Sequence, residues 1–300
     1  MNLQLKANMM MLIVNAFWGL SYVFMKMGLG SLGIFNLIAL RFLIAFFVAG
    51  VLLYKPLIKM KQKTIVSSFI LGMVLFCVLT LVTFGVSMTS ASNAGFLVSL
   101  TVIFVPLISS LLMKRLPAWP IRMGLVVTLT GIGILTLKQS LSFHLGDLLC
   151  IGGALCYAIH IILTGKLTNE DNPLTIGVLQ LGFAGFIALI CSTLFEIPSL
   201  PTTLHSWTAI LGLGIFCSAI GFVCQTIAQR YTTPTHTGLI FATEPLFAAI
   251  FAVCFLGEIF SLKELIGALI VISGIFIAQL DKNAFLKRRF FYQRRYRRKT

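Results

Sequence analysis

Apolar residues run along this chain in blocks of about twenty, separated by short polar or basic stretches. Such a block is long enough to cross the hydrocarbon core of a bilayer as a helix. Ten blocks can be drawn: 7–26, 34–54, 65–85, 93–113, 121–138, 145–165, 174–195, 207–228, 237–257 and 264–281. The pattern predicts an all-α polytopic membrane protein with ten transmembrane helices. One join is subtle. From Thr64 to Met113 there is no charged residue, and the run is too long for one helix even when tilted. The cluster Ser87-Met88-Thr89-Ser90-Ala91-Ser92-Asn93 reads as a connection and divides spans three and four there. The stretch 231–257 contains Glu244 and reads as a single ninth span.

Composition agrees with the pattern. Of 300 residues 58% are hydrophobic and 10% charged, and mean hydropathy is +1.01. A soluble domain carries roughly 25% charged residues, so this chain could not cover a water-facing surface. Lys6 precedes an uncharged stretch from Ala7 to Met25, which is longer than a signal-peptide core and reads as the first span. The seven cysteines fall in or beside apolar runs without a C-x-x-C motif, and read as small buried hydrophobes.

The formal charge of +15 invites a nucleic-acid reading, but its placement argues for topology. With the N-terminus inside, 19 Lys and Arg residues fall on the cytoplasmic side and three (Lys26, Lys138 and Lys263) outside, with Arg41 inside a span. That bias predicts cytoplasmic termini in a cell membrane. Nine of the basic residues crowd into the tail, 282–300, a segment suited to anionic cytoplasmic lipid.

Shifted by 143 residues, 94–137 lies over 237–280 without a gap. Gly95 then meets Gly238, Gly124 meets Gly267, and Gly131 meets Gly274. The chain therefore divides into halves at 1–143 and 144–281, of five spans each. An odd number of spans makes the second half enter the membrane in the opposite sense, an inverted repeat.

Several residues could carry chemistry. A charge inside the bilayer costs about 2.5–3.5 kcal/mol on insertion scales and needs a reason. Glu244 lies within span nine and is followed by Pro245, which removes a backbone donor and suits a hinge. The carboxylate could bind a cationic group of a substrate or a coupling proton; equally it could be a structural carboxylate. Arg41 in span two could capture a carboxylate, pack between helices, or pair with Glu244. Gln180 occupies its place in the second half. Trp18 and Tyr22 share a helix face in span one, and Tyr157 and His160 take the corresponding place in span six. Asn93 and Ser99 are further candidates to line a cavity, with Thr101, Gln225 and Thr243 beside them. The pairs Gly124/Gly131 and Gly267/Gly274 would let spans five and ten pack closely.

These residues carry a resemblance. The chain has Trp18-Gly19-x-Ser21-Tyr22 with Lys26, Leu40-Arg41-Phe42, and Ala94-Gly95-Phe96-Leu97 in its first half. Its second half has Gly238-Leu239-Ile240, Glu244-Pro245-Leu246 and Leu256-Gly257-Glu258. In this ordered set it resembles the drug/metabolite transporter superfamily, in its ten-helix EamA-domain branch, over 7–281. It departs at Lys114-Arg115-Leu116, where the family often has Gly-Glu-Arg. The resemblance implies a carrier of a small organic solute (an amino acid, metabolite or drug-like compound), commonly an exporter. It implies a cavity lined by helices 1–4 and 6–9, with helices 5 and 10 peripheral. A flippase for lipid or lipid-linked sugar shares the architecture. No G-x-x-x-x-G-K-[ST] or H-E-x-x-H is present, so neither a nucleotide, a metal nor another cofactor is expected, and an intramembrane enzyme is the weakest alternative.

Overall fold

The computed structural model describes residues 3–58, 60–114, 116, 119–136, 144–169, 171–232, 234–241, 243–259 and 261–279. The basic tail at 282–300 lies outside them, as does the junction between the halves up to residue 143. Among the described residues the chain is helical throughout and makes ten membrane-length rods. They are α1 (Leu3–Leu29), α2 (Ile34–Leu52), α3 (Gln62–Met88), α4 in two pieces (α4a, Ala91–Val98, and α4b, Thr101–Leu112) and α5 (Trp119–Thr136). The second half has α6 (Leu145–Leu167), α7 (Pro173–Phe195), α8 (Leu204–Gln229), α9 in two pieces (α9a, Pro234–Phe241, and α9b, Glu244–Leu256) and α10 (Leu262–Gln279). The short helix Tyr54–Ile58 follows α2. The division of the long uncharged run falls inside the polar cluster: α3 ends at Met88, and the Ser90 hydroxyl caps α4a by accepting from Asn93 N at 3.1 Å.

The packing repeats between the halves. Helix α3 packs on α6 and α7, α8 on α1 and α2, α1 on α9, and α6 on α4. Exchanging each helix for the one five places along turns every one of these contacts into another of them. The α2–α7 and α5–α10 contacts map onto themselves. Residue contacts follow the same rule. A Cβ at Gly131 would lie 2.7 Å from Val271 N and 2.9 Å from Gly267 O, while one at Gly274 would lie 2.6 Å from Thr128 N and 2.8 Å from Gly124 O. Each contact is the other displaced by 143 residues. Helices α5 and α10 pack chiefly on each other, beside the other eight. The outward faces carry large apolar side chains such as Phe47, Leu52, Leu111, Phe195 and Phe276, as lipid contact requires.

Three spans are irregular. Span nine is not continuous: it breaks at 242–243, ahead of Pro245. Span four breaks at 99–100, which is the same place displaced by 143 residues. There the backbone tightens, with Leu100 N donating to Leu97 O at 3.2 Å and Val102 N to Ser99 O at 2.9 Å. In α8, Gly212–Ile220 is a π-helix. These breaks divide the interior into two tiers, because α4a packs on α9b and α4b on α9a.

The close α5–α10 seam gives a test. Gly131→Leu forces a side chain into the Val271 backbone and should cost about 1–3 kcal/mol through overpacking. The expected outcome is a lower melting temperature of the purified protein in detergent, with Leu129→Ala on the exposed face as a neutral control.

Candidate functional site

The site forms where the broken ninth span meets α1. Pro245 has no N–H to donate, so the preceding turn of backbone must find other partners. Asn15 supplies one: its Nδ2 donates to Ile240 O at 2.6 Å and to Thr243 Oγ1 at 2.9 Å. The Thr243 hydroxyl and N–H also donate to Ile240 O, at 2.9 and 3.1 Å. The break leaves Glu244 in the first turn of α9b, where the positive end of the helix favours a carboxylate. Glu244 is buried, and its Oε1 accepts a hydrogen bond from Tyr22 Oη at 2.9 Å. Tyr157 also lies within its electrostatic reach.

Beside the carboxylate stands an aromatic wall. Trp18 meets Phe241 edge-on at 5.0 Å between centroids, Phe222 at 5.3 Å and Tyr157 at 5.9 Å. Tyr157 stacks on Phe241 at 5.9 Å and is followed by the His160 ring at 5.9 Å. The wall is held by the π-segment. Trp18 Nε1 donates to Cys217 O at 2.9 Å, a carbonyl in the π-helical turn. A π-helix among regular turns often marks a functional site.

The sequence-derived candidates sort into three groups. Trp18, Tyr22, Tyr157, Glu244 and the hinge residue Pro245 come together at the centre. His160 and Gln180 join one edge, with His160 Nε2 and Gln180 Oε1 3.0 Å apart and Gln180 Nε2 donating to Thr226 Oγ1 at 3.2 Å. Arg41 is fully buried but makes no ion pair with Glu244: its Nε donates to Ser218 Oγ at 2.9 Å, and its guanidinium lies 5.3 Å from the Phe42 ring centroid. Ser99 turns its hydroxyl to Phe96 O of its own helix at 2.5 Å. Asn93 lies away from the centre, at one end of the bundle, donating to Thr89 Oγ1 and Asp147 Oδ1, each at 2.8 Å.

That end is stitched by carboxylates. Glu258 accepts from Ala91 N at 2.8 Å, from Ser92 N at 3.3 Å and from the Ser92 hydroxyl, capping α4a. Glu196 caps α2 in the same manner, accepting from Phe35 N at 2.9 Å and Asn36 N at 2.8 Å. Sequence reasoning missed Asn15, Phe222, Phe241 and Gln229. A lone Asn in an otherwise apolar first span was the available signal for Asn15. The two phenylalanines were lost among 26.

A ten-rod bundle with two discontinuous spans meeting at a buried carboxylate is the architecture of a membrane transporter. A model of the EamA-like transporter family matches the chain twice, over residues 5–137 and 144–280. The chain belongs to that family. It is 29% identical over 285 residues to an uncharacterized transporter of Archaeoglobus fulgidus, covering 92% of this chain and 87% of the relative. It is similar to the Bacillus subtilis uncharacterized transporter YetK, with 26% identity covering 88% and 84% of the two chains. Protein PagO of Salmonella typhimurium is 22% identical, covering 92% and 93%. A crystal structure at 18% identity superposes with a TM-score of 0.71, covering 92% of this chain and 96% of that one, and shares the fold.

Asn15→Leu removes both interhelical bonds to the break. Such bonds inside membrane proteins are worth about 0.6 kcal/mol on average and up to about 1.7. The variant should melt below the parent in detergent. Asn15→Asp, which keeps an oxygen but loses the donor, should not restore the melting temperature.

Proposed function

We propose that the protein carries a small organic solute across the cell membrane, as an exporter working by alternating access, with the solute held at Glu244. The observation that carries this reading is the placement of a buried carboxylate, bonded to a tyrosine hydroxyl and walled by aromatic rings, at the break in span nine. A carboxylate in such a wall suits a cationic group: charge attracts it, and ring faces favour it further. Trp18, Tyr22 and Tyr157 would line the solute, with His160 and Gln180 at one edge and Arg41 positioned against α8. Pro245 would serve as the hinge. A compact aromatic site of this kind favours a small solute over a lipid or lipid-linked sugar.

The halves 1–143 and 144–281 would rock against each other about the breaks in α4 and α9. The charge bias places both termini in the cytoplasm and the carboxylate-stitched end outside. On this reading the tail at 282–300 lies on anionic lipid of the inner leaflet. The same carboxylate can hold either a proton or the cationic group of the solute. Exchange of the two would couple export to proton uptake.

Two measurements test this. A strain overexpressing the protein should gain resistance to toxic amine-bearing metabolite analogues. Glu244→Gln should lose that resistance at equal membrane abundance; retention of full resistance would overturn the site. In proteoliposomes loaded with the analogue so identified, export should rise with pH on the loading side, because the carboxylate must shed its proton before the cation binds. The Glu244→Gln variant should lack that dependence. For topology, green fluorescent protein fused after Thr300 should fluoresce, and alkaline phosphatase at the same position should be inactive.

A further inference from the structure

Below the aromatic wall, toward the end that carries Leu3 and the α6–α7 and α8–α9 connections, lies a run of buried polar side chains. Tyr157, His160 and Thr164 fall on one face of α6; Gln225 and Gln229 are one turn apart on α8; Thr237 is one turn from Phe241 on α9a. Direct contacts tie the three faces together. The Phe222 and His160 rings meet at 6.3 Å, Tyr157 stacks on Phe241, and Gln229 Nε2 donates to Ile161 O at 3.1 Å. All six residues are at least nine-tenths buried. Yet Tyr157 Oη, His160 Nδ1, Thr164 Oγ1, both amide atoms of Gln225, Gln229 Oε1 and Thr237 Oγ1 have no hydrogen-bond partner among the described residues. Buried polar atoms left unpaired inside a bilayer are costly, and one isolated case could be tolerated. Six residues in a row along one seam call for a shared ligand that can both donate and accept.

The repeat supplies an internal control. The positions corresponding to Tyr157, His160 and Thr164 on α1 are Trp18, Ser21 and Met25; that of Gln225 on α3 is Thr83; that of Thr237 on α4a is Ala94. There the polar groups are satisfied: Trp18 by Cys217 O, Ser21 by Trp18 O at 2.6 Å and Thr83 by Met25 Sδ at 3.7 Å. Met25 and Ala94 are apolar. The file is thus built into one half of the interior and is missing from its mirror image.

We propose that α6, α8 and α9a enclose a file of bound water that runs from Glu244 to the terminus-bearing end and serves Glu244 from that end alone in this conformation. The inference rests on the site reading above only in naming Glu244 as the group served. The water is bound by paired donors and acceptors, chiefly the Gln225 amide. The opposite tier, closed by the Glu258 and Asp147 clasps, is dry.

Radiolytic hydroxyl-radical footprinting of the full chain in lipid nanodiscs, read by peptide mass spectrometry, tests this without any solute. Each residue is scored against its own rate in the denatured chain. Tyr157, His160 and Phe241 should be modified several-fold faster than Phe96 and Met25, which are buried in the opposite tier. Gln225→Leu/Gln229→Leu should bring the three rates down to those of Phe96 and Met25. Protection of Tyr157 and His160 equal to that of Phe96 in the parent protein would overturn the proposal, whatever the double variant does. So would equal modification in both tiers. A dry file together with loss of resistance in Glu244→Gln would sink this inference alone, whereas a wet file with resistance intact would sink the site reading alone.

Discussion

A peptide group freed from its helix inside a bilayer must find another partner, because no lipid tail can supply one. That constraint organises the centre of this protein. Two spans are broken at positions 143 residues apart, and each break is met by a first helix of one half. At span nine the Asn15 amide of α1 reaches Ile240 O and Thr243. At span four Thr101, which opens α4b as Glu244 opens α9b, donates to Val98 O at 2.7 Å and to Ala154 O of α6 at 3.1 Å. Once the breaks are satisfied, a charged or polar residue can stand at the start of a half-helix at mid-depth. The carboxylate, the aromatic wall and the division into two tiers all follow from those two interruptions.

The two breaks are equivalent in backbone and different in chemistry. One presents a carboxylate bonded to a tyrosine; the other presents a threonine whose hydroxyl is already spent on carbonyls. The same divergence runs through the interior. The tryptophan of α1 is anchored to a π-helical carbonyl, while its counterpart Tyr157 leaves its hydroxyl unbonded among the described residues. Symmetry sets where the helices cross, and side-chain differences between the halves set what each tier can bind.

Much of this was legible in the sequence for a simple reason. Span number and spacing follow from hydropathy, which depends on the solvent and hardly on neighbours. The cut at Ser87–Asn93 could be placed because hydroxyl and amide side chains cap helix ends wherever they fall. The pairing of Arg41 with Gln180 and of Trp18 with Tyr157 followed from the repeat. What stayed hidden was anything decided by azimuth between helices. Span nine read as continuous because Pro245 within a span signals a kink without fixing its depth, and no local signal marked the break at Ser99. Whether Arg41 would meet Glu244 depended on how α2 faces α8 and α9, and the Ser218 hydroxyl took the guanidinium instead. Asn93 looked like a cavity residue by its helix and lies at an end by its depth.

The clasps at the stitched end have a direction. Glu196 and Glu258 belong to the second half, and both cap helices of the first. All eight acidic residues of the chain lie at or beyond Asp147, so the first half has none to give in return. Two copies of the first half, joined as the halves are joined here, would leave the starts of α2 and α4a without their carboxylates. Two copies of the second would set one Glu244 across the pseudo-axis from another, like charges in a medium that penalises each alone. Neither half can therefore rebuild the bundle by pairing with itself, and the chain is an obligate heterodimer of its own two parts, fused into one polypeptide.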